Sequence, residues 1–389
     1  MVCSHNPCEG GSHSRRLMDG TFAPRAWVAA SVSGFPLTRQ VQDRNAVRND
    51  VPSKKLILNV IGKSNGVGLS RDLDLLSAAL AAGGYEVRVT RIDRDQAALR
   101  RSLWAQFRIR CKLLWLRLQR RERPAVVNLM LEHIWPQQLP DARCNVLIPN
   151  PEWFDSHDAR LLRQVDVVWA KTDCTLHLFR SRHRNTTLVG FDSEDRYDGT
   201  VARQRIFFHL AGKSSMKGTD RLLRVWARHP EWPVLTVVQH AREDHAPQIA
   251  AANIDRRVGY LDDNELRSLQ NASMFHICTS LTEGWGHYIV EALSIGAITI
   301  TVDAAPMNEL VTRERGILVP YRDTGTQRLA TTCFFDEAGF ETAIVNALAL
   351  EDSQGRSLSE NARSWFLQNK QRFPGRLRTA IEGLPVSAR

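Results

Sequence analysis

A strand, a glycine-bearing loop and a helix follow one another twice in this chain, and this repeat constrains the fold more than any other feature. The first repeat opens with the run 56–61, which is continuous rather than alternating apolar and polar, and the second opens with a strand predicted over 205–210. Continuous runs are typical of strands in parallel sheets, which are buried on both faces. The order strand, loop, helix, strand is the opening of a Rossmann-like domain. The sequence therefore predicts an α/β protein of two Rossmann-like domains that face each other across a cleft.

The chain length of 389 residues also fits two domains. Residues 1–53 lack hydrophobic periodicity and are predicted to be a disordered tail. The N-terminal domain is expected over 54–200 and the C-terminal domain over 201–365. A helical segment over 366–389 is expected to pack back on the N-terminal domain. Because open parallel sheets bind ligands at the carboxyl ends of their strands, we expect the site in the cleft.

The strongest signal for chemistry follows the strand predicted over 274–279. Two carboxylates, Glu283 and Glu291, stand eight positions apart, the first in a glycine-rich loop and the second in the next helix. Gly284 and Gly286 allow a ligand to approach the backbone, and the free N–H groups of a helix start favour an anion. On spacing alone, an ordinary strand–loop–helix connection, with Glu283 capping the helix and Glu291 facing solvent, explains the pattern equally well.

The stretch 283–296 resembles the E-x₇-E signature of retaining glycosyltransferases of the GT-B fold, the group 1 (family 4) type. The family pattern reads roughly E-G-F-G, then E-A, then G. This chain carries Trp285 in place of the usual Phe and keeps Ala292 and Gly296. The match is specific for the class of enzyme and says little about the substrate.

Two further motifs resemble the same family. Residues 209–218 are similar to its glycine-containing basic loop, shortened by one residue, and residues 303–311 are similar to its loop that ends in a glutamate, here Glu309. The usual Gly-Gly pair of that second loop is absent. The three motifs occur in the family's order across 201–320, whereas the N-terminal half matches only in its Rossmann-like alternation of strands and helices.

The resemblance implies a role for each matching residue. Gly212, Lys213 and Lys217 would hold the diphosphate of a nucleotide-sugar donor, and Glu291 would hold the ribose hydroxyls. Glu283 would hold the transferred sugar together with the backbone of Gly284, Trp285, Gly286 and His287. Fixed cations and a helix N-terminus can stabilise a departing diphosphate, so neither a metal ion nor a cofactor is expected.

The N-terminal domain supplies candidates for the acceptor side. Glu132 and His133 end the strand predicted over 125–131, and either could polarise the acceptor hydroxyl. The family often has a histidine in this region, although a polar pair at a strand end explains the two residues as well. Two prolines fix the loop around Glu152, a candidate contact with the acceptor or the sugar. The remaining candidates for such a contact are Gly66, Gly68 and Glu309.

Most of the net charge of +10 lies in one short segment, between Arg100 and Arg123, where nine basic residues stand against the single acid Glu122. Such an excess indicates an anionic partner. We expect one helix over 96–121. One interpretation places its apolar positions in the core with solvated arginines around them. These positions are Leu99, Leu103, Phe107, Cys111, Leu114 and Leu118. The other interpretation has the arginine face dock on anionic lipid at the inner face of the membrane.

The sequence therefore predicts a retaining glycosyltransferase of the hexosyl-transferring type, in bacterial-type polysaccharide or glycolipid assembly. Its expected partners are a nucleotide sugar, a glycan or lipid-linked acceptor and an anionic membrane surface, but no nucleic acid. The seven scattered cysteines favour a reducing compartment, hence a cytoplasmic enzyme at the membrane periphery. The alternatives are a sugar-nucleotide epimerase or phosphorylase on the same fold, and a non-enzymatic binder of nucleic acid or anionic surfaces through the basic segment.

Overall fold

A computed structural model describes residues 56–63, 68–100, 102–118, 126–240, 249 and 251–386 of the chain. The predicted tail over 1–53 and the candidate Gly66 lie outside these residues, as does the C-terminal end of the basic segment. The structural statements below concern the described residues.

The N-terminal domain is built on a parallel sheet of six described strands in the order β2-β1-β3-β4-β5-β6. These strands are β1 (Ile57–Lys63), β2 (Glu86–Ile92), β3 (Val126–Glu132), β4 (Cys144–Pro149), β5 (Val167–Ala170) and β6 (Thr186–Leu188). The helices of this domain are α1 (Gly68–Ala82), α2 (Arg94–Leu99), α3 (Leu103–Leu118), α4 (Ser156–Leu161) and α5 (Asp173–Arg180), with 3₁₀ turns at Pro136–Asp141 and Leu162–Gln164.

The C-terminal domain repeats this plan with a six-stranded parallel sheet in the order β12-β11-β10-β7-β8-β9. Its strands are β7 (Gln204–Gly212), β8 (Leu235–Gln239), β9 (Ile254–Val258), β10 (Ser273–Cys278), β11 (Ile298–Val302) and β12 (Gly316–Val319), and an antiparallel hairpin adds β13 (Tyr321–Gln327) and β14 (Ala330–Phe335). Its helices are α6 (Thr219–Ala227), α7 (Asp263–Ala272), α8 (His287–Ser294), α9 (Met307–Leu310), α10 (Glu337–Leu348) and α11 (Asp352–Glu382), with a 3₁₀ turn at Ser215–Lys217.

The first strand and helix show why the repeat folds in this way. In β1, Leu58 and Val60 are fully buried, and Leu58 pairs in register with Val127 of β3. In α1, leucines at helical spacing cover the sheet, and Gly84 ends the helix with a φ of 83°. The predicted fold class, two Rossmann-like α/β domains facing a cleft, is confirmed.

The C-terminal helix α11 runs without interruption from Asp352 to Glu382 and buries Phe366, Phe373 and Leu377. It packs against α8 of the C-terminal domain and against α1 of the N-terminal domain. The segment boundary expected between 365 and 366 falls inside this helix, because buried side chains continue across it at helical spacing.

The prediction of a single helix over 96–121 is wrong, because the helical conformation is interrupted between α2 and α3. Arg100 turns inward there, and its guanidinium donates to both carboxylate oxygens of Asp155, at 2.8 and 3.1 Å. The same guanidinium lies 3.0 Å from a carboxylate oxygen of Asp158. The hydroxyl of Ser102 then accepts the backbone N–H of Ala105 and starts α3. Contacts distant in sequence therefore override the helical periodicity.

Candidate active site

The loops at the carboxyl ends of the two sheets meet closely at the cleft. Gly284, in the loop after β10, lies against Asn150 of the other domain, so that a Cβ at Gly284 would be only 2.4 Å from the Asn150 side-chain oxygen. Nearby, the backbone N–H of Leu329 donates to the carbonyl of Pro151 at 3.2 Å. Glycine at position 284 is therefore required by the contact between the domains, because any larger residue would push the two loops apart.

The Glu283 carboxylate is held by groups of its own domain. The ammonium group of Lys217 and the hydroxyl of Ser280 both donate to the same oxygen of Glu283. The Lys217 ammonium also lies 3.7 Å from the ring centroid of Tyr288. Lys217, which the family resemblance assigns to the diphosphate, is therefore paired with the residue that the resemblance assigns to the sugar. The two lie in one polar cluster at the start of α8.

Glu291 is buried inside the cleft, with a side chain only 1% exposed. One of its carboxylate oxygens accepts a hydrogen bond from the guanidinium of Arg71, which belongs to α1 of the N-terminal domain. The other oxygen, Oε2, has no hydrogen-bond partner among the described residues. The alternative in which Glu291 faces solvent is thus wrong. A buried carboxylate oxygen without a donor is a favourable acceptor for a ligand hydroxyl.

His287 joins the domains through a buried acid and a buried lysine. Its Nδ1 lies 2.8 Å from the Ser193 hydroxyl, and its Nε2 lies 2.5 Å from one oxygen of Asp72. The other oxygen of Asp72 accepts from Lys171 at 2.6 Å. Burial alone would raise the pKa of Asp72, but the charge of Lys171 and the hydrogen bond from His287 outweigh it and lower the pKa to about 2. Asp72 is therefore ionised and fixes His287.

The side chain of Trp285 is buried and contacts Ser193, the serine that lies beside His287. It is 6% exposed, and its indole N–H donates to the Ser193 hydroxyl at 3.0 Å. Since the ionised carboxylate of Asp72 only accepts, Nε2 of His287 carries a proton and donates to it. The aromatic residue of the motif thus helps to place the serine that contacts Nδ1 of the histidine two positions later.

His133 is oriented on the other side of the cleft by Asp158. The histidine Nδ1 lies 2.8 Å from Asp158, which is fully buried and paired with Arg100. Since a carboxylate accepts, Nδ1 carries a proton and donates to Asp158. The Glu132 backbone has a φ of 65°, unusual for a residue other than glycine, and its carboxyl lies 3.7 Å from Nε2. Burial raises the pKa of Glu132 above its usual value.

Glu152 is the most strongly perturbed carboxyl of the cleft. It is 7% exposed, and its Oε2 atom has no hydrogen-bond partner among the described residues. Burial raises its pKa to about 8, and the nearby carboxylate of Glu283 adds to the rise. Glu152 therefore carries a proton at neutral pH and can donate a hydrogen bond, which an ionised carboxylate cannot do.

The remaining predicted residues lie at the edges of the cleft. Gly212 adopts a φ of 55° with open space on its Cβ side, Lys213 after it is exposed, and Gly68 begins α1 without close neighbours on its Cβ side. Glu309 accepts the backbone N–H groups of Asp173 and Cys174, both at 2.7 Å, and so caps α5 of the opposite domain. Both of its oxygens are used in holding the two domains together.

Sequence reasoning missed Arg71 and Asp72, which join the domains, and Lys171, which pairs with Asp72. One signal was available, since Asp72 is an acid on the apolar face of α1, between Leu69 and Leu73. A buried acid on a core-facing helix requires a partner.

A second concave region lies outside the cleft. A cavity of about 730 Å³ opens where the carboxyl end of α8 meets α11, and it is lined among others by Arg203, Gly296 and Arg363. Gly296 in this lining follows the carboxyl end of α8, about 12 Å along the helix axis from His287. The cavity therefore does not belong to the carboxylate cluster. Over the described ranges, no group of three or more His, Cys, Asp or Glu side chains is arranged to hold a metal ion.

Comparison with known proteins agrees with this picture. Residues 192–328 match the family model described as glycosyl transferases group 1, a range that includes Lys217, Glu283, Glu291 and Glu309. No curated protein matches the chain in sequence. The family match supports a glycosyltransferase as the class of enzyme.

Several solved structures share the two-domain fold at low sequence identity. A glycosyltransferase from Rickettsia africae aligns with a TM-score of 0.61 at 12% identity, over 84% of this chain and 97% of that chain. Sucrose-phosphate synthase from Thermosynechococcus elongatus gives 0.61 at 13% identity, over 84% and 98%. Anabaena HepE, in complex with UDP and glucose, gives 0.59 at 15% identity, over 85% and 100%. These similarities establish the fold, which is that of GT-B glycosyltransferases.

Proposed function

We propose that this chain is a retaining glycosyltransferase that moves a hexosyl group from a nucleotide-diphosphate sugar to an acceptor hydroxyl. The observation that carries the proposal is the buried Glu291 carboxylate, whose Oε2 lacks a donor among the described residues. It lies in the interdomain cleft, on helix α8, and Glu283 lies in the loop that precedes this helix. The family match over 192–328 supports the same chemistry.

The donor would bind mainly to the C-terminal domain. Glu291 accepts one ribose hydroxyl at Oε2 and the other at the oxygen that Arg71 holds. Lys213 and Lys217 contact the diphosphate. Glu283 and the backbone N–H groups at the start of α8 hold the sugar, since the first turn of a helix has N–H groups that the helix itself does not use. Because Anabaena HepE is known in complex with UDP and glucose, uridine-diphosphate hexoses are the first donors to test.

The reaction would proceed on one face of the sugar. The acceptor oxygen forms a bond to the anomeric carbon as the bond from that carbon to the diphosphate breaks, and the proton of the acceptor hydroxyl passes to the departing diphosphate. Lys213 and Lys217 stabilise the charge that develops there, in place of a metal ion. His133, through its Nε2 atom, orients the acceptor hydroxyl together with Glu132.

The acceptor would be a glycan or a lipid-linked sugar, in bacterial-type polysaccharide or glycolipid assembly. The enzyme would then work in the cytoplasm, at the inner face of the membrane. Glu152, which carries a proton at neutral pH, would donate a hydrogen bond to an oxygen of the acceptor or the transferred sugar.

Thermal denaturation with a panel of nucleotide diphosphates and nucleotide sugars tests the donor site. A ligand at about 100 times its Kd adds about 2.7 kcal/mol to the free energy of unfolding. We expect one nucleotide to stabilise the wild type and Glu314→Gln, a control at an exposed glutamate of the same domain, but not Glu291→Gln. If none stabilises the wild type, or if Glu291→Gln responds fully, the proposed donor site is wrong.

Product analysis then separates transfer from the rival reactions. With the stabilising donor and a sugar acceptor, proton NMR of the anomeric region should show a new glycoside of unchanged configuration. Conversion of the donor without any acceptor would instead indicate an epimerase. A strict requirement for inorganic phosphate would indicate a phosphorylase. An inverted product would contradict retention while leaving transfer in place.

A further inference from the structure

Helix α3 turns a row of large apolar side chains toward solvent. We call this row the apolar stripe; it consists of Leu103, Trp104, Phe107, Leu114, Trp115 and Leu118. Their exposed fractions run from 50% for Trp115 to 75% for Leu118. Leu99, at the end of α2, is 47% exposed and precedes the stripe. Contiguous apolar surface of this kind marks an interaction site rather than ordinary surface composition.

The stripe occupies one side of the helix. At 3.6 residues per turn, its members fall within an arc of about 120°. The opposite side holds the helix on the domain, since Gln106 and Leu113 are buried and α3 packs against the 3₁₀ turn Pro136–Asp141. The interpretation that places the apolar positions of this segment in the core is therefore wrong. Helical periodicity predicted the stripe, but the sheet is covered by the other side of α3.

Basic residues border the stripe on both sides. Arg108 and Lys112 lie along one edge and Arg110 along the other, and all three are exposed. The Arg108 guanidinium lies 4.7 Å from the ring centroid of Trp104 in the stripe. The pair between Lys112 and Asp141, at 3.6 Å, is more than half exposed on both sides and so weakly coupled. The sequence of α3 contains no acidic residue.

A partner that binds the apolar stripe must match both its shape and the charge of the residues around it. A helix of 16 residues presents a straight apolar surface about 24 Å long. Tryptophan and basic side chains at its borders suit the boundary between lipid headgroups and acyl chains, where rings lie at headgroup depth and cations contact phosphate. No helix over the described ranges is both long and apolar enough to cross a membrane.

We infer that α3 lies in the plane of an anionic bilayer, with the apolar stripe inserted at the headgroup boundary and Arg108, Arg110 and Lys112 on lipid phosphates. Binding then depends on apolar contact and charge together, and not on the arginines alone. The inference needs no nucleotide, so its failure would leave the proposed transferase unaffected. It would hold equally if the donor site proved wrong.

Vesicle cosedimentation of the full-length chain tests the surface. The probes are vesicles of phosphatidylcholine alone and of phosphatidylcholine with phosphatidylglycerol. One variant, L103S/F107S/L114S, removes apolar side chains from the stripe. Another, R108E/R110E/K112E, reverses the charge of the basic residues along its edges. The matched control is Y260S/V345S, which changes exposed apolar residues of the other domain. Circular dichroism confirms that each variant is folded, which is expected because every changed side chain is exposed.

We expect the wild type and the control to sediment with the anionic vesicles. Both stripe variants should lose binding by at least about tenfold, since the apolar and electrostatic contributions act together. Unchanged binding of L103S/F107S/L114S would overturn the inserted stripe, even if charge reversal abolished binding. A wild type that stays in the supernatant would overturn the membrane surface altogether. Concentration-dependent dimers in sedimentation velocity that the same apolar variant abolishes would assign the stripe to a second copy instead.

Discussion

Arg71 in the first helix of one domain donates to the buried carboxylate of Glu291 in the other, although the two residues are 220 positions apart. The pair spans the cleft at the residue expected to bind the ribose. One oxygen of Glu291 is thus engaged by protein while the other lacks a donor among the described residues. Full use of Glu291 by a donor therefore requires Arg71 to withdraw.

Arg71→Ala should tighten the binding of the donor nucleotide, because the ligand no longer competes with the guanidinium for Glu291. For a pair of about 1 kcal/mol the gain is about fivefold in Kd, measured by isothermal titration calorimetry. Arg91→Ala, which removes an exposed arginine of the same domain, is the control. Weaker binding by Arg71→Ala alone would show that Arg71 contacts the donor itself.

The buried pair of Asp72 and Lys171 should give the protein a distinct acid response. The pKa of Asp72 is lowered from 3.8 to about 2, so its contribution to stability is present above pH 4 and is lost as the pH falls through 2. The shift corresponds to about 2 kcal/mol in the free energy of unfolding. Urea denaturation between about pH 5 and pH 2 measures this loss of unfolding free energy.

Asp72→Asn should flatten this acid dependence and lower stability at neutral pH, because Lys171 loses its charged partner in the interior. Asp74→Asn is the matched control, since Asp74 lies on the same helix but is exposed. If wild type and Asp72→Asn lose stability in parallel on acidification, Asp72 is not the group that titrates.

The sequence predicted one half of the cleft much better than the other. Glu283 and Glu291 were visible because they are close in sequence and share a recognisable spacing. Arg71, Asp72 and Lys171 were not, because their partners lie about 100 to 220 positions away and only the fold brings them together. Periodicity similarly revealed the apolar stripe of α3 but could not tell which side of the helix the sheet would cover.

Glu152 should make the protein less stable as the pH rises toward 8. Its folded pKa of about 8 exceeds the usual 4.5, so the folded state holds a proton that the unfolded chain has released between these values. Stability from this proton is complete below pH 4.5 and is lost as the pH rises through 8. Glu152→Gln keeps a neutral side chain at every pH and should be more stable than the wild type at pH 8, by about 4 kcal/mol.

Denaturation curves of Glu152→Gln, wild type and Glu86→Gln at about pH 5, 6.5 and 8, which lie between the two pKa values, check the sign of the effect. Glu86 is an exposed glutamate of the same domain and serves as the control. A wild type whose stability is constant over this range, or a Glu152→Gln protein that is less stable at pH 8, would show that Glu152 is ionised in the folded state.

His133 should act on the reaction rather than on donor binding, because it lies across the cleft from Lys217 and Glu291. Asp158 holds its Nδ1 at 2.8 Å, so that Nε2, with Glu132 beside it at 3.7 Å, is the ring atom available to the acceptor hydroxyl. His133→Ala should therefore lower kcat by roughly 100-fold, the lower range for a positioned proton acceptor, with an unchanged Kd for the nucleotide. His157→Ala, at a neighbouring histidine beside Asp155, is the control. Steady-state kinetics with nucleotide binding measured in parallel decides the matter, since a loss of nucleotide affinity together with kcat would place His133 in the donor site.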